Sequence, residues 1–126
     1  QELGMDSYVD FVGRKSKEEI SKILQDHNIF VIASEKETFC IPGVEALASG
    51  MPVVSTNCLG PAEYLDEKSG KLVEVGNVKA IADAIIEVYE NIDQYDPKYL
   101  RKKANSYSGE KVSKKAIELY KEMLKK

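Results

Sequence analysis

Histidine is almost absent from this sequence: His27 is the only one, and cysteine is limited to Cys40 and Cys58. With one imidazole and no partner for it, Ser-His or Cys-His nucleophilic catalysis has little support. His27 falls at the end of a predicted helix, where a ring near the C-terminal dipole is the plainer reading. The two cysteines stand in apolar or loop contexts without metal-ligand spacing. That argues against a metal site and a disulfide framework, and for a reducing cytosolic compartment. No apolar run approaches the roughly 18 residues of a membrane span. QELGMDSYVD lacks the basic start and apolar core of a signal peptide. No G-x-G-x-x-G follows a predicted strand, which disfavours a dinucleotide-dependent dehydrogenase. The formal net charge is −3 and the Lys-rich close KKAIELYKEMLKK mixes both signs, so nucleic acid is not an expected partner.

What remains is 126 residues at 43% hydrophobic content, enough for one core and one domain. YVDFVG (8–13) alternates apolar and polar residues and reads as a strand. Ser16 and Glu19 then form the pattern of a reciprocal helix cap, with Ile20, Ile23 and Leu24 at helix spacing behind it. IFVIAS (29–34) is a continuous apolar run of strand length, typical of a strand buried on both faces. Pro42 suits the first position of a helix whose stripe is Val44, Leu47 and Ala48, with Gly50 as a left-handed stop. PVVST (52–56) is a second buried strand and KLVEV (71–75) a third. Asn77 caps a helix with Val78, Ile81, Ala82, Ile85, Val88 and Tyr89 on one side. Asp96-Pro97 starts a short helix, and an amphipathic one runs from about Glu110. Strands alternating with helices predict an α/β, Rossmann-like parallel sheet with helices on both faces. Ligands of such sheets bind at the carboxyl ends of the strands. Gly13-Arg14, Ser34 to Ile41 and Thr56 to Gly60 should therefore share one rim.

The segment ETFCIPGVEALASGMPVVST (37–56) carries the chemistry of that rim. Phe39, Cys40 and Ile41 offer backbone amides at a helix start, which favour an anion such as phosphate. Glu37 precedes the helix and Glu45 lies about one turn in, roughly 6 Å along the axis. Carboxylates repel bare phosphate but accept hydrogen bonds from hydroxyls. Amides between two such acceptors suit a ligand with phosphate in the middle and a polyol at each end, as in a nucleotide-sugar. On spacing alone, the commoner reading is an ordinary surface acid at Glu37 and a dipole-favoured one at Glu45. A two-carboxylate glycoside hydrolase is disfavoured, because the loop between the acids is built for anions.

The whole pattern resembles the group 1 (family 4) retaining glycosyltransferases, which have the GT-B fold. Their signature is Glu, seven residues, Glu-Ala, a small helix and Gly-x-Pro-Val-Val. It is matched by Glu37, Glu45, Ala46, Ala48, Gly50, Pro52, Val53 and Val54. YVDFVG resembles the V-x-F-x-G strand, IFVIASEKE the strand and S-x-x-E before the signature, and GPAEYL the later G-x-x-E loop. SGKLVEVGNVKAIADAI resembles the G-x-L-V … L-A-x-A-I segment, and YSGEKVSKKAIELYKEML the last helices. The match covers about residues 8–124. Two positions depart from it: Cys40, where the family usually has Gly, and Leu59, where many members have the first of two glycines.

The resemblance implies that residues 1–126 are a partial nucleotide-sugar (donor) binding domain, the truncated C-terminal domain of a GT-B enzyme. Glu37 would be the catalytic-site acid touching hydroxyls of the transferred sugar, not a nucleophile. Glu45 would hold the donor ribose, and the amides of Phe39, Cys40 and Ile41 the sugar or diphosphate. Gly13 and Arg14 would lie by the nucleobase, with Arg14 stacked on it. The implied enzyme is a hexosyltransferase-type, metal-independent transferase without cofactor. It moves a sugar with retention from a nucleotide-sugar to a glycan or lipid-linked acceptor, as in polysaccharide biosynthesis in the cytoplasm. The acceptor domain and two further strands, with an Arg and a Lys for the diphosphate, would precede Gln1; any membrane contact, at its inner face, would come through that half. The isolated fragment is then expected to be inactive. The alternative is a non-catalytic nucleotide-sugar binding module. In the 3-2-1-4-5-6 strand order of such domains the missing strands lie between YVDFVG and IFVIAS. The last three strands should therefore be neighbours, while YVDFVG must pair elsewhere in the chain or with another chain.

Overall fold

In the computed structural model, which describes residues 2–125, Ser16 opens helix α1 (Lys17–Gln25) through the expected reciprocal cap. The Glu19 amide donates to its hydroxyl at 3.2 Å, and the Ser16 amide donates to the Glu19 carboxylate at 2.7 Å. There follow β1 (Phe30–Ile32), α2 (Ile41–Ala48), β2 (Val53–Thr56), a 3-10 turn (Gly60–Glu63) and β3 (Gly70–Val73). Helices α3 (Val78–Glu90), α4 (Pro97–Asn105) and α5 (Gly109–Leu124) complete the chain, with a second 3-10 turn at Ile92–Gln94. Local chemistry sets most boundaries. Asn77 accepts from the Ala80 amide at 2.9 Å, Asp96 accepts from the Lys98 amide at 2.9 Å, and Pro42 stands in the first turn of α2. His27 lies just past the C-cap of α1, its Nδ1 2.6 Å from the Ile23 carbonyl oxygen.

The three strands form one parallel sheet in the order β1-β2-β3, the neighbour relation expected from the sequence. Val53 sits opposite Phe30 and Gly70, Val54 opposite Val31 and Lys71. All four residues of β2 are buried, so alternate side chains feed two separate cores. On one face Ile32 and Val53 pack with Ala46 and Leu47 of α2 and Leu100 and Ala104 of α4. On the other, Val54 packs with Ala84 and Val88 of α3. Each fully buried Val or Leu contributes about 1.5–3 kcal/mol of transfer free energy. The α3 stripe is narrower than its sequence pattern, since Val78 and Tyr89 at its ends are exposed. The apolar side of α5 is also uncovered, with Val112, Leu119, Tyr120 and Met123 all exposed.

YVDFVG does not form the predicted strand. Tyr8 closes a turn on the Met5 carbonyl at 2.8 Å, residues 9–13 have no regular structure, and Phe11 is 93% exposed. A strand exists only through its ladder, and no described segment pairs with this one. The outer side of β1 is likewise unpaired, and Val31, on the α3 face, is 40% exposed.

Two features beside β3 and the rim carry stability. Asp66 binds α4 to the turn before β3, accepting from the Tyr99 hydroxyl at 2.5 Å and the Lys103 ammonium at 2.6 Å. Partial burial pushes its carboxyl up, but these bonds outweigh it and lower the pKa from 3.8 to about 2. A depressed carboxylate stabilises fully above its unfolded value and loses that contribution as pH falls through the folded one. The melting temperature should therefore drop between about pH 4 and pH 2, and Asp66→Asn should flatten that limb. An identical acid limb in the variant would exclude Asp66 as its source. The second feature is backbone strain at Leu59, whose φ of 83° and ψ of −76° suit glycine better than a side chain that is 64% exposed. Leu59→Gly should raise unfolding stability by about 1 kcal/mol. A urea midpoint that fails to rise would show that the Leu59 side chain compensates the strain.

Candidate functional site

The rim at the carboxyl ends of β1 and β2 is tied together one step beyond the sheet. Glu37 and Leu59 form a lone parallel bridge: the Glu37 amide donates to the Cys58 carbonyl at 2.9 Å, and the Gly60 amide to the Glu37 carbonyl at 3.0 Å. The bridge brings Ser34 to Ile41 and Thr56 to Gly60 together, as expected of the rim. Gly60 is needed for this approach, because a Cβ there would sit 2.5 Å from the Phe39 Cα. Gly13 and Arg14 are not joined to it. Both are exposed, and no hydrogen bond or ion pair links them to these loops among the described residues.

Cys40 makes the turn into α2 with φ 65°, left-handed, at the position where a glycine was expected. Its carbonyl accepts from the Tyr64 hydroxyl at 3.0 Å and from the Gly43 amide at 3.0 Å. Tyr64 is fully buried, and a Cβ on Gly43 would meet its hydroxyl at 2.1 Å. Burial, and then the neighbouring Cys40, pushes the Tyr64 hydroxyl far above the usual tyrosine range, so it stays a donor. Burial likewise raises the Cys40 thiol, which stays neutral. The Phe39 ring packs edge-on against Tyr64 with centroids 5.2 Å apart and tilts against Tyr107 at 5.3 Å. The result is a fixed turn in which the amides of Phe39, Cys40 and Ile41 donate no hydrogen bond among the described residues. Such groups at a helix N-terminus are open to an anion.

The two acids sit differently. Glu37 is half-buried, and its Oε1 accepts from the Ser34 hydroxyl at 2.8 Å. Glu45 is exposed on α2 and lines a cleft of about 420 Å³ between α1 and α2, with Lys17, Gln25, Ser49 and Arg101 among the other walls. That volume is in the range of small-molecule sites. Glu37, Phe39, Cys40 and Ile41 do not line it. Tyr64, Tyr107 and Arg101 carry no site signal in the sequence. Each reaches the site from a distant segment, whereas Ser34 is marked by its place on the expected rim and by the S-x-x-E spacing. Among the described residues no group of three or more His, Cys, Asp or Glu could hold a metal ion, and no helix is long and apolar enough to cross a membrane.

The sequence matches the family model of glycosyl transferases group 1 over residues 1–108. It is 33% identical to a D-inositol 3-phosphate glycosyltransferase of Corynebacterium urealyticum over 126 residues, covering 98% of this chain and 30% of that protein. It is 31% identical to a GDP-mannose-dependent alpha-mannosyltransferase of Mycobacterium tuberculosis over 87 residues, covering 68% of this chain and 23% of that protein. The fold superposes on sucrose-phosphate synthase from Thermosynechococcus elongatus with a TM-score of 0.86 at 24% identity, covering 98% of this chain and 32% of that one. The chain thus spans about a third or less of these proteins' length, and its three-stranded parallel sheet with flanking helices is part of the GT-B architecture. By the family match and the length of the alignments, the chain belongs to the group 1 glycosyltransferases.

Proposed function

We propose that this chain is part of the donor-binding domain of an enzyme that transfers a hexose, with retention, from a nucleotide-sugar to a glycan or lipid-linked acceptor. The observation that carries the reading is the left-handed turn at Cys40, with the unbonded amides of Phe39, Cys40 and Ile41 between Glu37 on the rim and Glu45 on the cleft. The amides of Phe39, Cys40 and Ile41 meet the diphosphate or the sugar beside it. Glu45 accepts from the ribose hydroxyls, and Glu37 accepts from hydroxyls of the transferred sugar. Gly13 and Arg14 belong to the nucleobase end. As the glycosidic bond to the leaving diphosphate breaks, fixed amides stabilise the growing negative charge without having to reorganise. Metal is dispensable in this scheme, with the remaining positive charge supplied from outside these residues. The enzyme is placed in a reducing cytoplasm, where Cys40 and Cys58 stay thiols.

The test is a thermal-shift panel of UDP-, GDP- and ADP-sugars on the protein at its full natural length, since a ligand of the native state raises the midpoint by mass action. For the donor so found, Glu45→Ala should weaken binding roughly tenfold to a hundredfold, the loss of hydrogen bonds to a charged acceptor. Donor affinity equal to the wild type would refute the assignment of Glu45. Sugar transfer should also persist after EDTA treatment; loss of turnover restored by a divalent ion would refute the metal-free scheme.

A further inference from the structure

Glu37 reaches its place through a chain of contacts that begins in the sheet. Thr56, 3% exposed, ends the central strand opposite Val73. Its hydroxyl donates to the Ser34 carbonyl at 2.5 Å, with a longer 3.5 Å approach to the Ile32 carbonyl. The Ser34 hydroxyl in turn donates to Glu37 Oε1 at 2.8 Å. The Glu37 backbone is held on both sides by Cys58 and Gly60. The pinned backbone and the engaged carboxylate oxygen together hold the side chain toward Ser34. Its second oxygen is left as an acceptor, since a carboxylate has about four lone-pair sites and Ser34 fills one.

We propose that Ser34, anchored by Thr56, is a positioning residue that fixes the Glu37 carboxylate for a hydroxyl of the transferred sugar. This rests on the donor-site reading. A glutamate on a loop otherwise samples several rotamers, and a misplacement of about 1 Å costs up to a hundredfold in rate when the group must meet a reacting substrate. Holding it in advance removes that loss. Ser34 does not touch the substrate in this scheme; its effect passes through Glu37 alone.

The experiment uses the protein at full natural length with the donor identified from the UDP-, GDP- and ADP-sugar panel. Ser34→Ala should lower kcat by roughly tenfold or more, and Ser34→Thr, which keeps the hydroxyl, should restore it. Affinity for the matching nucleoside diphosphate, which lacks the sugar, should not change, and neither should the melting temperature. A merely structural role would move the last two. Glu37→Gln should also lower kcat, and adding Ser34→Ala to it should cost little more, because the two act through one group. Wild-type kcat in Ser34→Ala, or losses that simply multiply in the double variant, would overturn the proposal. If no UDP-, GDP- or ADP-sugar of the panel raises the melting temperature, the donor-site reading fails instead, and this proposal with it.

Discussion

The lone bridge between Glu37 and Leu59 is the contact on which the arrangement of the rim depends. It continues the parallel pairing of β1 and β2 past the last ladder residues, using two backbone hydrogen bonds. Without it the loops after β1 and β2 would be separate excursions, as surface loops commonly are. With it, the loop that carries the acid and the loop that carries the 3-10 turn become one rigid edge. Gly60 allows the approach, Leu59 bears its strain, and Phe39 is carried into the aromatic packing of Tyr64 and Tyr107.

From that edge the turn at Cys40 follows. A left-handed residue directs the chain into α2 and leaves the amides before the helix unpaired. Tyr64 holds the carbonyl of that residue from beneath. A buried tyrosine hydroxyl with a partner is inexpensive, whereas one without a partner is costly. Removing either end of this contact therefore disturbs both core and rim. Stability and site share one hydrogen bond, so the turn has little freedom to reshape around a ligand. Proteins use such preorganisation to hold developing charge.

Much of this was legible in the sequence because its causes are local. Ser16 with Glu19, Asn77, Pro42 and Asp96-Pro97 mark helix starts that the structure reproduces. The apolar runs around Phe30 and Val53 mark the first two strands, and the family pattern marks their neighbours. The two departures from glycine, Cys40 and Leu59, are the two non-glycine residues with positive φ among those described. Non-local causes were less legible. YVDFVG has the alternation of a strand, but alternation cannot supply the neighbour that a ladder requires. Tyr64 and Tyr107 meet at Phe39 from segments far apart, Arg101 reaches the Glu45 cleft from α4, and nothing in their immediate sequence announces it. The relay from Thr56 through Ser34 depends on a fold-level meeting of two strand ends. Of the candidate residues, the segment from Glu37 to Glu45 is assembled around the α2 start, whereas Gly13 and Arg14 are exposed and make no hydrogen bond to it among the described residues.

In the proposed donor site the turn at Cys40 receives the phosphate-bearing middle of a nucleotide-sugar. The most direct measurement is a crystal structure of the full-length protein with its donor bound. Donor phosphate or sugar oxygens should lie within about 3 Å of the amide nitrogens of Phe39, Cys40 or Ile41, with the ribose hydroxyls on Glu45. A donor bound elsewhere, with those amides facing only water, would contradict it.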